Sequence, residues 1–184
     1  MPNTEKSQEI TCLSSKTVYR NPWLSLREDT IRRTDGGEGL YGVIEKPDFA
    51  VIAALQKEQL YLVEQYRYPV EARYWEFPQG SWEYRAIDPI SLAKAELLEE
   101  TGLSAGSMSH AGHLYLAYGY SAQGYDIFLA SDLEQKEKLL DPEEQGLITR
   151  PFAVSVVESM ILDGTIKDAT TVAAFGLLRM KGLL

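Results

Sequence analysis

The chain has little cysteine, little histidine, few basic residues and no long apolar run. Of its 184 residues one is cysteine, Cys12, so no disulfide can form within the chain. That suits a reducing compartment. The two histidines, His110 and His113, leave little room for imidazole catalysis. Both fall in a strand-like stretch, where a structural role is expected. No apolar run approaches the roughly 18 residues that a membrane helix needs. The opening MPNTEKSQE has no signal-peptide pattern. The expectation is a cytoplasmic protein with no membrane partner. Lys and Arg number 18 against 27 Asp and Glu, a formal net charge of −9. Such a chain lacks the basic footprint that nucleic-acid binding demands.

What the chain does have is acid at helical spacing. The run Glu96-Leu97-Leu98-Glu99-Glu100-Thr101-Gly102-Leu103 returns to nearly one helix face at positions 96, 99 and 100, since a helix turns about 100° per residue. Three like charges on one stripe are unfavourable without a counter-charge. A hard divalent cation, Mg²⁺ or Mn²⁺, supplies one through oxygen ligands. The competing reading is a solvated acidic surface.

The surroundings favour the metal. Trp75-Glu76-Phe77-Pro78-Gln79-Gly80 is an apolar stretch ending in a tight turn. Asp88-Pro89 reads as an N-cap with proline at the first helical position. The helix is predicted from Pro89 to Thr101, stopped by Gly102 in the left-handed C′ position. Leu92, Ala93, Leu97 and Leu98 form its apolar side.

The segment Gly80 to Leu103 resembles the Nudix box, G-x5-E-x7-R-E-U-x-E-E-x-G-U with U a bulky aliphatic. Its second half matches at Glu96-Leu97, Glu99-Glu100 and Gly102-Leu103. Its first half departs: with one extra residue between Gly80 and the helix, the first glutamate falls on Ile87 and the arginine on Ala95, with Arg85 or Lys94 as candidate substitutes. The resemblance is wider than the box. Leu60 to Pro69 with Trp75 to Gly80 is similar to the E-Q-x-R-x-P and E-x-P-x-G patterns of the ADP-ribose and nucleotide-sugar pyrophosphatase branch. Met160 to Asp168 is similar to its helix followed by G-x-I-x-D.

The resemblance implies a Nudix α/β/α sandwich with a mixed sheet and an N-terminal antiparallel β annex. It implies residues 1–46 as a dimerising annex and 47–184 as the hydrolase domain. It implies Mg²⁺ or Mn²⁺ on Glu96, Glu99, Glu100 and the Gln79 carbonyl. The acidic loop Asp141 to Gly146 would supply the general base, Glu144 or else Glu143, with Glu100 also in the catalytic set. Arg67 is the candidate to grip a phosphate; a pair with Glu64 or Glu71 is the alternative. Glu76 would bond a substrate hydroxyl or pair with a neighbour. Gly119 and Ser121 match a substrate loop, whereas Tyr118 and Gln123 depart from it. Trp23, Tyr66 and Tyr118 are candidates for stacking on adenine, or else core residues.

The implied activity is metal-dependent hydrolysis of the pyrophosphate bond of a nucleoside diphosphate sugar such as ADP-ribose, by a homodimer. The alternative is a nucleotide-binding Nudix module with weak turnover, which Ala95 and Ile87 favour.

The remaining strands are predicted at Thr17–Arg20, Leu24–Arg33, Leu40–Glu45, Phe49–Leu55, Leu60–Tyr66, His110–Tyr118, Gly124–Leu129 and Leu147–Thr149. Helices are predicted at Ala153–Leu162 and Ala169–Lys181. Residues 1 to 9 are predicted to be disordered.

Overall fold

The computed structural model describes residues 9–81, 88–137 and 146–184. The chain divides into two units: residues 1–47 with 115–123, and residues 48–114 with 124–184.

The first unit is built on a three-stranded antiparallel sheet, β1 (Ile10–Arg20), β2 (Ser25–Arg33) and β3 (Glu38–Glu45). Register runs from Ile10 opposite Arg33 to Arg20 opposite Ser25, and from Ser25 opposite Glu45 to Arg32 opposite Glu38. The β2–β3 turn needs a left-handed residue, and Gly36 supplies it at φ 84°. The segment 115–123 joins this sheet. Ile44 N–H donates to the Tyr120 carbonyl at 2.9 Å, and the Tyr41 hydroxyl donates to the Gly119 carbonyl at 2.7 Å. The first strand begins at Ile10, seven residues before the sequence expectation. Every residue of β1 is exposed, so no buried face imposes the period-2 alternation by which a strand is read.

The second unit holds a seven-stranded mixed sheet. Its main path is β10 (Ile148–Ala153), β5 (Gln59–Arg67), β4 (Phe49–Gln56), β9 (Gly124–Gln135) and β8 (Leu103–Tyr115). To this β6 (Ala72–Glu76) pairs with β5, and β7 (Gln79–Gly80) pairs with β4. The β4–β9 pair is parallel and the pairings of β5, β6, β7 and β10 are antiparallel.

Strand β4 explains the layering. Alternate side chains point to opposite faces. Ala50, Ile52 and Ala54 pack with Leu92, Ala93 and Leu97 of helix α1 (Pro89–Thr101). Val51 and Ala53 pack with Val157 and Met160 of α2 (Val154–Leu162) and with Ala174 and Leu178 of α3 (Ala169–Met180). A strand buried on both faces reads as a continuous apolar run, as Phe49 to Leu55 does. The mixed sheet with helices on both faces is the predicted α/β/α sandwich.

Three further strands differ from expectation in their extent. Strand β8 starts at Leu103, directly after α1, and ends at Tyr115 rather than Tyr118. Its first half, Leu103 to Ser109, is rich in small polar residues that read poorly as strand. Gly106 permits a close approach there: a Cβ would stand 3.0 Å from Asp132 Cβ. Strand β9 runs on to Gln135. Strand β10 reaches Ala153 and contains Pro151, which an outermost strand of the sheet path tolerates.

Candidate active site

Helix α1 starts and stops as its sequence dictates. The Asp88 carboxylate accepts from Ser91 N–H at 3.0 Å, and the Ser91 hydroxyl together with that N–H holds its carboxyl below the usual carboxylate range. Gly102 closes the helix at φ 70°. Between them the buried residues are Leu92, Ala93, Leu97 and Thr101, and also Glu96 and Glu100. Leu98, expected on the apolar side, is half-buried, as is Glu99. The helix therefore buries two carboxylates beside its apolar stripe. Glu100 is 1 % exposed and Glu96 5 %. Charges removed from water to this degree require polar or ionic partners.

Part of that partnership is the backbone turn Gln79–Gly80. Glu100 Oε2 accepts from Gln79 N–H at 3.0 Å. Glu96 lies against the α-carbon of Gly80: a Cβ there would stand 2.2 Å from Oε2 and 2.5 Å from the carboxyl carbon. Only glycine leaves this space. Glu96, Glu100 and the Gln79–Gly80 backbone are thus brought together. Glu99 lies on the same helix, less buried. Glu143 and Glu144 lie outside the described residues, as do Ile87 and Arg85. Ala95, in the place of the box arginine, is half-buried, and Lys94 is exposed.

Among the described residues no group of three or more His, Cys, Asp or Glu side chains is arranged to hold a metal ion. The donor set around Gly80 is nonetheless all hard oxygen: two buried carboxylates on one helix face, beside a backbone turn. Mg²⁺ keeps several waters and is usually held by one or two carboxylates and substrate phosphates, rather than by a complete protein cage. The residues present fit such an ion.

A second polar group lies on β5 and β6. Glu76, 3 % exposed, accepts from Gln65 Nε2 at 2.8 Å and forms an ion pair with Arg67. Burial pushes the Glu76 carboxyl above its ordinary range, against the lowering influence of Arg67, and the nearby Asp168 adds to the rise. Arg67 therefore pairs with Glu76, not with Glu64 or Glu71. Glu64 is taken by Arg73 at 3.0 Å. The Arg67 side chain remains 42 % exposed, so part of the guanidinium faces solvent.

Asp168 was legible only as the last position of a motif. It caps α3, and its Oδ2 accepts from Thr171 N–H at 2.8 Å, Thr171 Oγ1 at 2.7 Å and Gln79 Nε2 at 3.3 Å. Thr171 Oγ1 in turn accepts from Phe77 N–H at 2.8 Å. An N-cap aspartate before a run of helix formers is a readable signal. That Thr171, in the first turn of the same helix, reaches Phe77 between β6 and β7 is not.

Gly119 and Ser121 belong to the first unit. The Gly119 carbonyl is engaged by Tyr41, and Ser121 is buried and bridges to Ile44. Trp23, Tyr66 and Tyr118 are all exposed, so none is a core residue. His110 and His113 lie on β8 and both contact Asp126 Oδ1, at 2.8 Å and 3.3 Å. No helix among the described residues is long and apolar enough to cross a membrane.

Comparison with known proteins agrees with this architecture. Residues 10–44 match the family model of the nucleoside diphosphate sugar hydrolase N-terminal domain. The chain is 27 % identical over 185 residues to an ADP-ribose pyrophosphatase of Bacillus subtilis (strain 168), covering 97 % of each protein. It is 27 % identical over 167 residues to an ADP-ribose pyrophosphatase of Mycobacterium tuberculosis, covering 90 % of this chain and 81 % of that protein. The crystal structure of an ADP compounds hydrolase superposes with a TM-score of 0.84 at 22 % identity, covering 96 % of this chain and 98 % of that one. Over residues 10–44 the chain is similar to the N-terminal domain of nucleoside diphosphate sugar hydrolases, over nearly its whole length to ADP-ribose pyrophosphatases, and in fold to an ADP compounds hydrolase.

Proposed function

We propose that the protein hydrolyses the pyrophosphate bond of a nucleoside diphosphate sugar such as ADP-ribose, giving a nucleoside monophosphate and a sugar phosphate. The observation that carries this reading is the convergence of buried Glu96 and Glu100 on the Gln79–Gly80 turn. The names of the relatives, ADP-ribose pyrophosphatase, support the substrate class.

Glu96, Glu100 and the Gln79 carbonyl would hold Mg²⁺ or Mn²⁺, with Glu99 beside them. When bound, such ions neutralise the diphosphate and lower the pKa of an attacking water. Glu144, or else Glu143, takes that water's proton. Arg67 keeps solvent-facing donors for a phosphate, while Glu76 holds its guanidinium in place. Gly119 and Ser121 are further residues assigned to substrate binding. We assign the enzyme to the cytoplasm as a homodimer formed through the residue 1–46 annex. The exposure of every residue of β1, Ile10, Leu13, Val18 and Tyr19 included, supports an association there.

The test is a panel of nucleotide sugars assayed with Mg²⁺ or Mn²⁺, with products identified and with chelator as the blank. Metal-dependent release of nucleoside monophosphate is expected. Tight binding without cleavage of any panel member would instead support a binding module, the reading that Ala95 in place of the box arginine favours.

A further inference from the structure

The turn that carries Gln79 is held from both layers of helices. On the α1 side, Glu100 takes the Gln79 N–H and Glu96 closes over Gly80. On the other side, the first residues of α3 take Phe77 N–H and the Gln79 side chain. Between these anchors Pro78 contributes its carbonyl to Ile52 N–H at 2.9 Å. Gln79 is opposite Val51 and Gly80 opposite Ala50.

That register decides where the Gln79 carbonyl points. In an antiparallel pair, hydrogen-bonded and non-hydrogen-bonded positions alternate. Pro78 bonds to Ile52, so the next residue, Gln79, occupies a non-hydrogen-bonded position. Its N–H and carbonyl both point away from β4. The N–H goes to Glu100, which places the carbonyl on the same open edge as the buried carboxylates.

The hydroxyl of Thr171 fixes this register from behind. Thr171 is fully buried. Its Oγ1 accepts from Phe77 N–H, so its single proton is left for Asp168 Oδ2. The charge on Asp168 therefore sets the direction of the whole relay, and the same oxygen also receives Gln79 Nε2.

We propose that Asp168 and Thr171 are positioning residues for the hydrolysis: from the N-terminus of α3 they lock Phe77 and Gln79 so that the Gln79 carbonyl stands with Glu96 and Glu100 as one ligand set. The proposal rests on the hydrolase reading above. Neither residue touches substrate; each acts through the 77–80 turn.

The test uses the full chain and four variants: Thr171→Val, Thr171→Ser, Asp168→Asn and Glu100→Gln. Mn²⁺ binding to the substrate-free protein is measured by the electron paramagnetic resonance of free Mn²⁺. Steady-state kinetics with ADP-ribose and thermal melting accompany it. Valine has the shape of threonine but no hydroxyl. T171V should weaken Mn²⁺ binding and lower kcat by about 10-fold each, as loss of an orienting group beside a metal ligand does, with KM little changed. T171S should restore both. Asparagine caps a helix as well as aspartate does, so D168N should keep the fold and still weaken Mn²⁺ binding severalfold.

Lower melting temperatures with unchanged Mn²⁺ affinity and kcat in T171V and D168N would mark a purely structural role and overturn the proposal. If T171V fails to fold, D168N decides. Mn²⁺ binding by the wild type, lost in E100Q but intact in T171V and D168N, would sink this proposal alone. A wild type that neither binds Mn²⁺ nor cleaves ADP-ribose would sink the hydrolase reading with it.

Discussion

Replacing Gly80 with alanine isolates the position of one carboxylate from its chemistry. The added methyl would stand 2.2 Å from Glu96 Oε2, 2.5 Å from Cδ and 2.7 Å from Oε1. Gly80 does not have a positive φ, so alanine suits its backbone. The obstacle is the end of a side chain, and it can be cleared by turning Glu96 aside. A non-bonded carbon–oxygen contact at ordinary separation requires the carboxylate to retreat by about 1 Å, and a misplacement of about 1 Å at a reacting centre costs on the order of 100-fold in rate. The cost in stability is smaller, about 1–2 kcal/mol, the usual range for mild overpacking. The assay is kcat for ADP-ribose hydrolysis with Mn²⁺, alongside urea unfolding. Gly176→Ala serves as the control, because a Cβ there meets nothing within 4 Å. G80A within threefold of the wild-type kcat would show that the placement of Glu96 does not matter, and the convergence on the turn would lose its functional meaning.

Other substitutions probe the same groups separately. Glu100→Gln keeps an oxygen for Gln79 N–H but removes the charge; kcat should fall by about 10²–10³, the scale of losing one electrostatic group at a reacting centre, with an unchanged circular dichroism spectrum. Arg67→Ala leaves Glu76 buried without its cation; breaking a buried pair costs about 3–5 kcal/mol, and the exposure of Arg67 reduces this to about 2 kcal/mol. Adding Glu76→Gln to that variant should recover most of the loss in urea unfolding. The Glu76 carboxyl is raised by burial, so its folded value lies above the unfolded value of about 4.3. The stability it contributes is present below that value and is lost as pH rises through the folded value. E76Q should therefore gain on the wild type as pH rises above about 4.3, and a pH-independent difference in urea midpoint would remove burial as the cause.

How much of this was legible follows from what each residue does locally. Helix α1 was readable to the residue, because Asp88, Pro89 and Gly102 act within their own turn. Strand β4 was readable because burial on both faces leaves an unbroken apolar run. The start of β1 was not, since its residues are exposed and pairing with β2 alone holds them extended. The candidate site divides the same way. Glu96 and Glu100 were found by their 3.6-residue spacing. The partnership of Arg67 with Glu76 and the reach of Thr171 to Phe77 depend on strand pairing and on how α3 docks, which no spacing in the sequence encodes. Two of the residues expected to matter, Glu143 and Glu144, lie outside the described residues.

The acidic stripe also sits at the end of α1 where the helix dipole is least favourable to it. Glu96, Glu99 and Glu100 occupy the C-terminal half of α1, and the last turn carries no basic residue. A carboxylate near a helix C-terminus loses about 0.3–1 kcal/mol to the partial negative charge there, and like charges three and four residues apart add a similar repulsion. A cation bound at the stripe would reverse both effects. Glu99→Gln is the mildest way to remove one charge, because Glu99 is only half-buried. The melting temperature of the variant relative to the wild type should fall by at least about 1–2 °C between chelator and saturating Mn²⁺, the shift expected for about 0.5 kcal/mol in a domain of this size. The wild type gains more from ligand binding, in proportion to the logarithm of ligand concentration over Kd. A difference between the two proteins that is the same in chelator and in Mn²⁺ would mean that Glu99 takes no part in holding a metal.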